Sequence, residues 1–231
     1  MFFLILHLAH EDKGFNEKES FWKRVKDNDN LDFEPGKKYK YSNLSYAMLG
    51  QILEFVSKKS LFELFQDEIN KSLGIDSKEL RFDYIENEDY ASGYLKRWSF
   101  INFAKYFVVN SEMYSDYEDG WLKLNQHNVD YKAMGGLITN AKSVGLFLQD
   151  LLKEESKLLK PETKKLLNQV AKNNDGEEAE MTLGRHVGEL GGAGFHCEMR
   201  IYPDKKIGSI VMTNSTTFDV KNFLNKVDVV F

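Results

Sequence analysis

The amino-acid sequence predicts an α+β fold, an antiparallel sheet of three C-terminal strands packed against helices, with a helical subdomain ahead of it. Three observations carry this expectation. Between residues 44 and 75 apolar residues recur at helical spacing, and a capping signature restarts the pattern midway. Between 142 and 172 two more stretches repeat the helical period. After residue 181 the period becomes two, with a turn short enough to join antiparallel neighbours. Helices first and strands last is the α+β arrangement, not the alternating α/β one.

Taken in order, Phe2-Phe3-Leu4-Ile5-Leu6 opens the chain as an apolar run too short to span a bilayer. It reads as an apolar helix or strand end packed on the core, or as a truncated secretory segment. A short helix is expected around Lys18–Lys26, then a loop through Asp27–Asp32. The turn Pro35-Gly36 precedes Tyr41-Ser42-Asn43, which lead into a helix over 44–57 with Leu49, Ile52, Leu53 and Val56 on its buried face. In that position Asn43 is the expected helix cap, with Tyr41 packed inward, or else the three polar groups belong to a site. Ser60-Leu61-Phe62-Glu63 is a capping box that opens a second helix, ending near Gly74.

Leu80-Arg81-Phe82 predicts a short strand, and the aromatic patch over 98–109 reads as more helix than strand. The acidic run from Glu112 to Asp119 predicts a solvated loop. Gly135-Gly136-Leu137 leads into a helix over Lys142–Lys153, capped by Thr139 or Asn140, with Val144, Phe147, Leu148 and Leu151 inward. A helix from Pro161 to about Lys172 follows, then a polar loop over 173–180. The three strands are Met181–Val187, Phe195–Tyr202 and Ile207–Thr213, and a helix over 217–228 closes the chain with Val220, Phe223, Leu224 and Val227 on one side.

Composition narrows the function. With 31 basic and 36 acidic residues interspersed, no basic stripe offers itself to nucleic acid. A single cysteine, Cys197, excludes an intrachain disulfide framework and most cysteine-based metal sites. The five histidines lack carboxylates at ligand spacing, and the glycines between 188 and 194 precede an alternating strand, not a helix, so neither a metal nor a dinucleotide cofactor is expected.

The order of motifs resembles that of the serine β-lactamase-related hydrolases, which include class C β-lactamases, penicillin-binding proteins and esterases. The resemblance rests on Phe33-Glu34-Pro35-Gly36, Tyr41-Ser42-Asn43, Tyr46 to Gly50 and Ser72-Leu73-Gly74-Ile75. It continues in Gly135-Gly136-Leu137 and in Gly192 to Asp204 followed by Ile207 to Asn214. It covers roughly residues 31–75, 132–152 and 181–231. It implies one β-lactamase/transpeptidase-like domain over 1–231, helical over about 18–172 and closed by the strands and helix of 181–231.

The resemblance also implies the chemistry, acyl-enzyme hydrolysis of an ester, amide or peptidoglycan-like substrate. In that family a Ser-x-x-Lys serine attacks, since a lysine one helical turn on can take its proton. The tyrosine of Tyr-x-Asn passes the proton on, and a Lys- or His-x-Gly completes the pocket. Tyr41 and Asn43 match the second motif, with Ser42 supporting. The literal Ser-x-x-Lys here, Ser20 to Lys23, lies much closer to Tyr41 than the family places it. The segment Leu6-His7-Leu8-Ala9-His10 aligns instead with the family segment just after the nucleophile helix, so the expected domain lacks its N-terminal part. His186-Val187-Gly188 is the nearest His-x-Gly, and an alignment run back from Phe195 puts Glu189, Leu190 or Gly191 in its place. Two functions are therefore expected: a serine hydrolase, inactive as this chain for want of its nucleophile, or a non-catalytic relative with at most a binding role. The expected partner is a small-molecule or peptide-like substrate, and an exposed sheet edge predicts self-association.

Overall fold

The computed structural model describes residues 22–23, 25–27, 31–100, 102–103, 113–129, 131–183, 190–192 and 195–230. Helical backbone at 22–23 and 25–27 meets the expectation of a short helix there.

Helix α1, Asn43–Ser57, begins where Ser42, in extended conformation, accepts the amide of Ser45, and ends where Lys58 turns left-handed at φ 58°. The second helical run comprises α2 (Leu61–Phe65), a five-residue π-helical turn (Gln66–Asn70) and α3 (Lys71–Leu73). Its predicted capping box is complete, with Ser60 and Glu63 each satisfying the other's amide. The amide of Leu61 also donates to Glu54 Oε1 at 2.9 Å, which fixes the break between the two helical runs. Gly74, at φ 70°, terminates α3.

Strand β1 (Leu80–Arg81) pairs antiparallel with β5 (Ile138–Thr139). Between them β2 (Tyr94–Lys96), β3 (Tyr114–Glu118) and β4 (Trp121–Leu124) form a sheet in the order β2-β4-β3. Here the sequence expectation fails, because the acidic run is largely strand. Tyr114 and Tyr117 pack on the buried Leu95, Leu122 and Leu124, while Asp116 between them and Glu118 after them are exposed. Asp119 and Gly120, both at positive φ (47° and 83°), make the tight turn that returns the chain as β4.

Helix α4 (Ala141–Leu152) takes Asn140 as its cap and buries Leu148. Helix α5 (Pro161–Asn168) stops short of the predicted Lys172. Val170–Lys172 instead form β6, paired with β7 (Glu178–Thr182) across a hairpin that takes up much of the expected polar loop. The C-terminal sheet has the order β10-β9-β8, with β8 (Leu190–Gly192), β9 (Phe195–Tyr202) and β10 (Ile207–Thr213) antiparallel. Three strands are therefore present as expected, but the first is Leu190–Gly192. Of the predicted Met181–Val187, the first two residues belong to β7 and 184–187 lie outside the described residues. Helix α6 (Val220–Val227) closes on this sheet and buries Val220 and Leu224. Phe223 and Val227 stay at its rim, 43% and 38% exposed.

One reversal matters for the site. The stripe Leu49, Ile52, Leu53 and Val56 is not buried, since each is 48–66% exposed. Helix α1 turns its other side inward, where Ala47 and Gly50 meet the 3-10 turn Lys132–Met134. A side chain at Gly50 would come within 2.5 Å of Ala133 Cβ, so this contact exists only because residue 50 is glycine. The small face brings the two backbones closest, and the larger apolar side chains are left facing away.

Candidate active site

The site is built around the entry to α1. Pro35-Gly36 makes a turn, closed by the amide of Lys37 donating to Glu34 O at 3.1 Å. That turn is held from outside by the tip of the β6–β7 hairpin. The Asn174 amide donates to Gly36 O at 2.7 Å, its carboxamide to Pro35 O at 3.2 Å, and the Asn173 carboxamide to Lys37 O at 3.2 Å. Gly36 sits at φ 80°, and a Cβ there would fall 2.4 Å from Asn174 Oδ1. Asn173 is itself fixed, accepting the amides of Asp175 and Glu177 and donating to Glu177 Oε2. In sequence this clamp reads only as loop. Its signal is Asn173-Asn174-Asp175-Gly176, a turn-forming tetrad.

From that anchored turn the chain reaches Tyr41, whose hydroxyl donates to Asn43 Oδ1 at 2.6 Å. Tyr41 is 47% exposed and does not pack inward. Asn43 does not cap the helix either. It is the first helical residue, and Ser42 is the cap, its Oγ accepting the Ser45 amide at 3.2 Å. Ser42 therefore completes the helix end while the side chains on either side of it bond to each other. With its Oδ1 taken by the phenol, Asn43 keeps a carboxamide N–H₂ able to donate to a carbonyl. The phenol can both donate and accept a proton.

The Gly135-Gly136-Leu137 element follows directly on the Lys132–Met134 turn that contacts this helix. Gly136 needs its φ of 82°, and a Cβ there would strike Val129 at 2.8 Å. Lys132 binds both carboxylate oxygens of Asp83, at 2.6 and 2.5 Å, locking the Lys132–Met134 turn to the segment after β1. Gly50 seats α1 on that same turn, so the two motifs share a rigid join.

The remaining candidates divide. Lys23 is exposed on the helical residues beside Trp22. Ser20, His186 and Glu189 lie outside the described residues. Leu190 and Gly191 are backbone partners of Cys197 and His196 in the β8–β9 pair. His196 is buried, with Nδ1 3.0 Å from Phe218 O. Burial pushes the Cys197 thiol up from its ordinary range, which suits a core residue more than a nucleophile. Among the described residues no group of three or more His, Cys, Asp or Glu is placed to hold a metal ion.

The antiparallel C-terminal sheet backed by helices, with small accessory sheets and a Tyr-Ser-Asn helix entry, is of the β-lactamase/transpeptidase type. The sequence profile of the family described as Beta-lactamase matches residues 8–229, and the chain belongs to that family. Solved structures agree on the fold. The D-amino acid amidase of Ochrobactrum anthropi SV3, complexed with D-phenylalanine, superposes with a TM-score of 0.67 at 18% identity, over 95% of this chain and 65% of its own. The penicillin-binding protein of Bacillus halodurans gives 0.61 at 18%, over 93% and 67%. The octameric penicillin-binding protein homologue from Pyrococcus abyssi gives 0.60 at 20%, over 86% of this chain. The chain spans 44% of the length of that last relative. No curated protein matches the chain.

Proposed function

We propose that this chain carries part of an acyl-enzyme site for an amide, ester or peptidoglycan-like substrate and does not turn substrate over by itself. Tyr41 serves as the proton-transfer group, Asn43 as donor to a substrate carbonyl, and Ser42 holds both in register as the helix cap. The observation that carries this reading is the 2.6 Å bond from the Tyr41 hydroxyl to Asn43 Oδ1 at a helix entry that follows the Pro35–Lys37 turn held by Asn173 and Asn174. A tyrosine kept only for packing would be buried, and this one is half exposed. The inactive reading rests on the position of Ser20 and Lys23, a serine–lysine pair too close in sequence to Tyr41 for the family's order. Solved structures of the same fold include a D-amino acid amidase, so a small amide is the first substrate class to test.

The test combines two measurements. Intact mass after exposure to a fluorophosphonate and a penicillin-type probe is expected to show no adduct. A covalent adduct lost in Ser20→Ala would overturn the inactive reading and make Ser20 the nucleophile. Titration with D-phenylalanine amide is expected to shift the Tyr41 ring resonances, and Asn43→Ala to abolish the shift. No shift at any concentration would remove the binding role.

A further inference from the structure

Every residue from Glu34 to Tyr41 is exposed, and the first buried residue after them is Ala47. Burial in the core therefore does not set where Tyr41 presents its hydroxyl, and polar contacts take that role. Three consecutive carbonyls, those of Pro35, Gly36 and Lys37, accept from the tip of the β6–β7 hairpin. At the other end of the segment Lys40, next to Tyr41, forms an ion pair with Asp32 and closes the loop on itself. Both partners of that pair are exposed, so water and salt screen it. Of the two anchors, the hairpin is the one that ties the segment to a distant part of the chain, 139 residues on for Asn174 with Pro35.

We propose that Asn174 is a positioning residue for the Tyr41–Asn43 pair, so that the tip of the β6–β7 hairpin governs binding at the entry to α1. The inference rests on the reading of that pair as a site for an amide substrate. The two asparagines divide the task. The Asn173 carboxamide accepts the amides of Asp175 and Glu177 and donates to Glu177 Oε2, so it shapes the hairpin itself as well as reaching Lys37 O. The Asn174 carboxamide bonds, among the described residues, to Pro35 O, and its backbone amide to Gly36 O. Gly36 makes room for it, because a Cβ there would fall against that carboxamide. An exposed polar side chain at a hairpin tip ordinarily contributes little to overall stability. Here it holds a turn from which only Lys38, Tyr39 and Lys40 lead to the phenol. A displacement of about 1 Å in a positioning group is enough to weaken what it positions.

The test uses the full chain with Asn174→Asp, Asn174→Ala and Asn174→Gln. The first measurement needs no ligand. The Tyr41 ring resonances in Asn43→Ala mark the broken pair, and Asn174→Asp and Asn174→Ala are expected to move them toward that position. Asn174→Gln, which keeps the N–H₂ donor, is expected to leave them near those of the unsubstituted protein, with β9 and β10 amides unchanged in all three. The second measurement is titration with D-phenylalanine amide, where Asn174→Ala is expected to bind at least about fivefold more weakly at an unchanged melting temperature. Tyr41 resonances unmoved by Asn174→Ala would overturn the proposal. A displacement with Asn174→Asp alone would mark the added charge as its cause and overturn it equally. Absence of amide binding to the unsubstituted chain would instead remove the binding role, and the ligand-free resonances would still decide whether Asn174 positions the pair.

Discussion

At the scale of single residues, the entry to α1 turns on which of two adjacent polar side chains does what. Ser42 and Asn43 are both good caps by residue type, and the backbone decides between them. Ser42 lies at φ −146° and ψ 109°, the extended geometry of a cap, so its oxygen reaches the Ser45 amide. Asn43, already helical, is released to hold the Tyr41 hydroxyl. Ser42→Ala is therefore expected to cost about 1 kcal/mol of stability, and Asn43→Ala clearly less, because the bond it loses is exposed. Urea denaturation of the two variants checks this, and equal losses would return the cap to Asn43. Asp150 shows the same logic deeper in the fold. It is fully buried at the end of α4. Burial pushes its carboxyl up, but the Ser156 hydroxyl and the Lys157 and Leu158 amides outweigh that and hold it below the ordinary carboxylate range.

At the scale of elements, hydrophobic period located α1 but not its orientation. The helical pattern of Leu49, Ile52, Leu53 and Val56 was legible in the sequence; that Gly50 would seat the helix by its opposite side was not. Periodicity counts large apolar residues, whereas close approach is decided by the absence of a side chain. Gly50→Ala separates the two effects. Alanine favours helix by about 1 kcal/mol, but its methyl would have to displace Ala133, an overpacking penalty of roughly 1–3 kcal/mol. The expected net result is a lower melting temperature, restored by adding Ala133→Gly. A stabilised single variant would show that the Lys132–Met134 turn yields. The strand β3 escapes a sequence reading for a related reason. Its acidic residues suggest a loop, while the signal for a hairpin lies in Asp119-Gly120 and in the spacing of Tyr114 and Tyr117.

At the scale of the whole molecule, the C-terminal sheet is closed by charge as well as by packing. Asp228, just past α6, accepts the Tyr202 hydroxyl at 2.6 Å, the Ser209 hydroxyl at 3.1 Å and the Arg200 guanidinium at 3.3 Å. Arg200 also binds Glu198 at 2.5 Å and Asn225 at 2.9 Å. One carboxylate thus joins the last residues of the chain to both β9 and β10. Its side chain is 6% exposed, so Asp228→Ala would leave three donors without this partner in a shielded place. The expected loss is about 3 kcal/mol in chemical denaturation, with α6 amides exchanging first. A loss below about 1 kcal/mol would mean that Val220 and Leu224 hold the helix unaided.

The sequence by itself determined the family, the main helices, the β9–β10 hairpin and the Tyr-Ser-Asn helix entry. Those features are written locally, in turn residues, caps and periods of two or 3.6. Only the tertiary structure decided that Ser42 caps while Asn43 binds Tyr41, that Asn173 and Asn174 clamp the Pro-Gly turn, and that the apolar side of α1 faces away from the Gly-Gly-Leu element. Each of these depends on groups far apart in the chain, more than 130 residues for Asn174 with Pro35, or on a backbone angle that several side chains at the same position would accept. Local pattern says what a segment can form. Which of its faces is used depends on what arrives from elsewhere.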